Sequence, residues 1–161
     1  MTKTCGDFGP VSLISNLCGR VLVSDGPVAE LAVIIAPDMF GYGLSSSPSN
    51  RPPPFEGADF PAVTIYDNVR AQQKLVTEKL GVSKLKLVTG VSMGELQAYH
   101  WAAMYPHMVE NVVPICGTAK CSGHDRLFLE SLSNCFEDDP VFNGGRYTEY
   151  PHTGMKAFCT V

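Results

Sequence analysis

A chain of 161 residues, 45% apolar and with a formal net charge of −4, is long enough to bury one sizeable core and has the balance of an ordinary globular protein. The acidic balance and the lack of a basic cluster exclude nucleic acid as the main partner. The longest apolar stretch, Leu31 to Pro37, is far too short to span a bilayer. No continuous apolar region follows Lys3, so no secretory signal is expected and the cytoplasm is the default location.

Residues 1–30 form a poorly defined segment. Met1 to Gly19 shows no clean period, and Arg20 to Ser24 is a candidate short strand ended by Asp25-Gly26-Pro27. Leu31 to Ala36 is a continuous apolar run of the kind that suits a strand buried on both faces of a parallel sheet. A loop rich in glycine, serine and proline follows from Met39 to Pro61, long enough to read as a functional or packed loop. Thr64 and Asp67 have capping spacing, and Ile65, Val69, Gln72, Val76 and Leu80 share one helical face that Gly81 ends. Leu85 to Thr89 is the next expected strand. Met93 to Met104 is a helix apolar almost all round, and so a buried one. A strand within Val109 to Cys116, a helix over Asp125 to Asn134 and an irregular tail complete the chain. Alternating strands and helices predict an α/β fold with right-handed crossovers, a parallel sheet and a ligand site at the carboxyl ends of its strands.

The most telling stretch is Gly90-Val91-Ser92-Met93-Gly94. An apolar strand leads into it and a helix leads out, with serine at the apex and glycine two residues to each side. This is the pattern of a nucleophile elbow. The turn is too tight for side chains at the flanking positions, and the apex serine is held strained with its hydroxyl projecting. Ser92 is therefore the candidate nucleophile, and the backbone N–H of Met93 is the candidate oxyanion donor. A phosphate-binding loop is excluded, because the turn lacks the lysine and spacing of a P-loop.

The remaining chemistry-bearing residues read less sharply. Cys116, Cys121, His124 and Cys135 can be drawn as a four-ligand metal set, but close pairs do not repeat as structural zinc spacings do, so thiols are expected and no metal. His100 lies two turns along the helix from Ser92, on the order of 12 Å away, and reads as a core histidine. His107 reads as exposed. His124 and Asp125 follow the third strand as candidate pocket residues, and His152 lies in the tail. Asp38 reads as the tie of the turn from Gly41 to Ser45. Arg126 and Arg146 are candidates for holding a substrate carboxylate, with a surface role the simpler reading.

Three stretches together resemble the α/β-hydrolase superfamily, and within it the homoserine O-acetyltransferase-like branch. They are Pro37 to Asn50, with its Asp38-x-x-Gly41-x-Gly43-x-Ser45 pattern; Phe60 to Arg70; and Gly90 to Gly94 running on to Tyr105-Pro106. The resemblance departs at Glu95, where homoserine acetyltransferases often carry a further glycine, and this weakens homoserine as the expected substrate.

The resemblance implies a partial α/β-hydrolase fold, a parallel sheet with flanking helices and the start of a helical cap. Residues 31–122 would be the core fragment with the elbow, and 123–161 the start of the cap. Family members run about twice this length. No match to the loop that gives half of their oxyanion hole is found in residues 1–30, and their acid and histidine come later. The implied activity is serine-dependent acyl transfer, of O-acetyltransferase or esterase type, on a small-molecule acyl donor and an alcohol or ester substrate. It needs no cofactor, with acetyl-CoA as co-substrate if the enzyme is a transferase. The chain by itself is expected to turn over little and to self-associate through uncovered apolar surface. The alternative is a catalytically silent fragment serving at most as a binding or interaction module.

Overall fold

The computed structural model describes residues 11–15, 33–42 and 44–160. The chain divides into two compact units, one of residues 1–45 and 62–119, the other of residues 46–61 and 120–161.

Among the described residues the first unit is built on a sheet of four strands. Strands β1 (Val11–Ser15), β2 (Val33–Ile35), β3 (Leu87–Val91) and β4 (Val112–Ile115) lie in the order β2-β1-β3-β4, every pairing parallel. Strand β1 was not legible in residues 1–19. It has only five residues, and it is held from both sides, Val11 against Val33 and Ser15 against Gly90. Cross-strand pairing overrides its weak local pattern. The candidate strand at Arg20 to Ser24 lies outside the described residues. The apolar run at Leu31 yields a strand only over Val33–Ile35, and Ile34 is 40% exposed. Burial on both faces therefore does not hold there, and among the described residues β2 is an outer strand of the sheet.

Helix α1 (Ile65–Lys74) starts in a full capping box: Thr64 Oγ1 accepts from the Asp67 N–H, and Asp67 Oδ2 accepts from the Thr64 N–H at 3.0 Å. The helix widens into a π-helical turn over Leu75–Lys79 and stops at Gly81, whose φ of +67° suits glycine. Val69, Gln72 and Val76 are buried as the periodicity predicts, whereas Leu80 is largely exposed beyond the widened turn. Helix α2 (Met93–Met104) packs on β3 and β4. The core joins Val69, Val76, Val82, Leu85, Val88, Ala98, Trp101 and Met108. Strand β3 runs two residues later than expected, with Leu85 kept as an isolated parallel bridge to Val109.

The second unit contains α3 (Gly123–Glu137) and α4 (His152–Phe158), which pack on each other. Helix α4 falls in the stretch expected to be irregular. Its anchor is long-range: Asp139 Oδ2 accepts from the Gly154 N–H at 2.8 Å. A Cβ at Gly154 would lie 2.6 Å from the Cys135 carbonyl oxygen, so glycine is what lets α4 approach α3. Phe136 joins Phe142 and Phe158, with ring centroids 6.0 and 5.3 Å apart. The long loop contributes Gly57–Asp59, a short 3-10 turn, and Arg146 grips Asp59 with both terminal guanidinium nitrogens.

Hydrogen bonds hold several carboxyls below their ordinary range. Those of Asp67 and Asp125 are held by the cap hydroxyls, that of Asp59 by Arg146, that of Glu110 by Lys86, and that of Asp139 by the amides of Gly154 and Val141. A carboxyl depressed on folding adds stability above its unfolded value, here 3.8 for aspartate, and that stability is lost as pH falls through the lower folded value. The melting temperature should therefore drop on acidification from about pH 6 to about pH 3. Asp139→Asn, which cannot carry the charge, should lessen the slope. An unaltered slope would show that these bonds are not felt.

Candidate active site

The turn between β3 and α2 is a single residue, Ser92, with Val91 ending the strand and Met93 opening the helix. Its φ of 54° and ψ of −115° place a non-glycine residue at positive φ, a strain that persists only where the surroundings enforce it. One enforcing contact is clear: the Ser92 N–H donates to the Ile115 carbonyl of β4 at 2.9 Å. Gly90 and Gly94 are buried on either side, while Ser92 itself is exposed. Met93 occupies the first helical position, where N–H groups have no intrahelical acceptor and the helix dipole favours negative charge.

Two other helix starts of the chain carry the same spacing and behave differently. Thr64-x-x-Asp67, Ser92-x-x-Glu95 and Ser122-x-x-Asp125 have one and the same spacing at three helix starts. At Thr64 and Ser122 the cap residue is extended, with φ of −97° and −77°. There the hydroxyl donates to the carboxylate three residues on, at 2.6 and 2.7 Å. Ser92 makes no side-chain cap bond. At positive φ Ser92 lacks the extended cap geometry of the other two, and its exposed hydroxyl is left uncommitted to the helix start.

Glu95 likewise takes no part in a cap at this helix start. It is 1% exposed, and neither carboxylate oxygen has a hydrogen-bond partner among the described residues. Its Oε2 occupies the space a side chain on Gly117 would fill: a Cβ there would land on Oε2 and lie 2.5 Å from Cδ. Further along α2, Trp101 Nε1 donates to Gln72 Oε1 at 2.9 Å, and Gln72 Nε2 donates to Gln97 Oε1. All three side chains are buried. Neither this ladder nor the burial of Glu95 was anticipated from the sequence.

The other candidates fall elsewhere. His100 bonds the Leu96 carbonyl one turn back along α2, through Nδ1 at 2.8 Å. His107 is exposed beyond the far end of α2. These are the only histidines of the first unit, and the helix between carries both away from Ser92. His124 and Asp125 belong to the second unit, in the first turn of α3, where Asp125 is consumed by the Ser122 capping box. His152 opens α4 with its ring 5.2 Å from that of Tyr150. Arg146 and Arg126 are committed within the chain, to Asp59 and Glu130. Asp38 Oδ2 accepts from the Leu44 N–H at 3.3 Å and so ties the turn as expected. Asn68, which the sequence did not single out, accepts from the Phe40 N–H at 2.8 Å. Among the described residues no three His, Cys, Asp or Glu side chains gather as a metal site, and no helix is long and apolar enough to cross a membrane.

The chain as a whole resembles known proteins. The chain is 46% identical over 114 residues to an ethyl acetate hydrolase of Pseudomonas veronii, a match covering 71% of this chain and 33% of that protein. It is 45% identical over 107 residues to a homoserine O-acetyltransferase of Solidesulfovibrio magneticus, covering 64% and 26%. An acetylester hydrolase from Corynebacterium glutamicum superposes with a TM-score of 0.83 at 32% identity, over 96% of this chain and 48% of that one. The matched stretch thus spans about a third or less of these two curated relatives. The family profile for the α/β-hydrolase fold matches residues 31–147. With a parallel sheet and a one-residue strand-to-helix turn at Ser92, the chain belongs to the α/β-hydrolase fold family.

Proposed function

We propose that this chain carries the nucleophile of a serine-dependent acyl-transfer enzyme acting on small acyl esters, with Ser92 as the attacking group. The single observation that carries the reading is the positive φ at Ser92, which frees the hydroxyl from the cap its own sequence spells. Attack by Ser92 Oγ on the acyl carbonyl would form a tetrahedral oxyanion within reach of the Met93 N–H. Collapse would expel the alcohol, or the thiol where a thioester is the donor, which leaves with the proton that Ser92 gave up, and an acyl-serine remains that water or an acceptor alcohol then cleaves. This fold takes its second oxyanion donor from a separate loop. Relatives named as an ester hydrolase and an acetyltransferase support both a hydrolytic and a transferase outcome. In the second case acetyl-CoA is the donor we favour. No prosthetic group or metal is invoked.

Turnover by the chain alone should be low, because neither histidine of the first unit is placed to take the Ser92 proton. General-base assistance is worth about 10²–10⁴-fold. A fluorophosphonate probe tests the assignment directly. It should label this chain at Ser92, and Ser92→Ala should abolish both the label and any p-nitrophenyl acetate hydrolysis above background. Labelling that survives the substitution would remove Ser92 from the chemistry and favour a binding module instead.

A further inference from the structure

Ser92 is followed at capping distance by a carboxylate, and elsewhere in this chain that spacing captures the hydroxyl. Thr64 and Ser122 both donate to the acid three residues on. A serine held in that way is tied to the helix start and cannot point outward. The chain avoids this at the elbow although it carries Glu95, and the reason lies across the fold at the exit of β4. Glu95 is one methylene longer than the aspartates of the two capping boxes, and its carboxylate reaches past the first turn of α2 into the space left by Gly117. Nothing rewards it there with a hydrogen bond from a described residue. A buried carboxylate without donors is unfavourable, so steric room is what the seat offers.

We infer that Glu95 is a positioning residue, and that its seating against Gly117 keeps the Ser92 hydroxyl free. The inference rests on Ser92 being the nucleophile. Closing the seat sends the carboxylate back to the first turn, where the Ser92 hydroxyl is the donor that the two capping boxes use. Capture there also lets Ser92 relax toward the extended φ of the other two caps, relieving backbone strain. Gly117 thus matters to the elbow without touching it in sequence.

Three variants of the full chain test this, each read for the rate of fluorophosphonate labelling and for melting temperature. Glu95→Asp shortens the reach so that the acid matches Asp67 and Asp125. It should label roughly ten- to a hundredfold more slowly than wild type while melting no lower, as one added charge-assisted hydrogen bond implies. Gly117→Ala closes the seat, and should lower both labelling and melting temperature. Glu95→Ala in the Gly117→Ala background removes the clash and the captor together, and should restore both. A purely structural role for Glu95 predicts no labelling defect in Glu95→Asp, and that result would overturn the inference. So would Gly117→Ala that stays unstable when Glu95 is removed, since the three nearest atoms a Cβ would meet all belong to Glu95. Wild type that takes no label overturns the assignment of Ser92 instead, and the melting temperatures of the Gly117→Ala pair then still decide whether the seat is real.

Discussion

Trp101→Ala should be the most damaging single truncation in the chain. The indole is fully buried at the centre of the core, against Val69, Val76, Leu85 and Val88 among others, and is in tilted contact with the Tyr105 ring at 5.3 Å. Removing so large a side chain from a packed core costs about 3–5 kcal/mol. Here it also strips Gln72 Oε1 of its donor, and an orphaned buried acceptor adds about 1–3 kcal/mol. The two contributions share one site and will not simply add. Urea unfolding followed by circular dichroism should show a midpoint shift that takes most of the stability of a domain this size, or no folded state at all. Trp101→Phe should lose less, because it keeps most of the volume. A small shift for Trp101→Ala would mean that α1 and α2 are not held together by this residue.

Gly94→Val tests the elbow from its helical side. Gly94 is buried in the first turn of α2, one residue beyond Met93. A branched side chain there must displace its surroundings, and overpacking of this kind costs about 1–3 kcal/mol. The melting temperature should fall by several degrees for a unit of this size, and labelling at Ser92 should fall with it, since Gly94 lies two residues beyond Ser92 at the same helix start. An unchanged melting temperature would mean that strand and helix do not approach closely at this position.

The sequence made legible what local pattern decides. Helix α1 was readable from its capping pair and apolar spacing, α2 from its composition, and the elbow from glycine and serine at fixed intervals. What it hid depends on partners distant along the chain. Val11 to Ser15 is too short and too mixed to announce a strand, and becomes one because β2 and β3 flank it. Helix α4 contains Thr153 and Gly154, poor helix formers, and is anchored by Asp139 fifteen residues earlier. Glu95 looked like a substitution in a family pattern. Its importance appears only when Gly117 is placed beside it, and no spacing within α2 could have shown that. Arg146 stands on the surface, as the simpler reading had it, and the sequence hid only its partner, Asp59.

The burial of Trp101 has a spectroscopic consequence. It is the only tryptophan of the chain and lies wholly within the first unit. Its intrinsic fluorescence is therefore a signal that originates in the first unit, among the sheet and its helices. Far-ultraviolet dichroism sums the helices of both units. Heating curves recorded by the two signals coincide only if the units melt in one cooperative step. A gap between them would report, without any label or substitution, that the unit bearing Ser92 keeps its own thermal schedule.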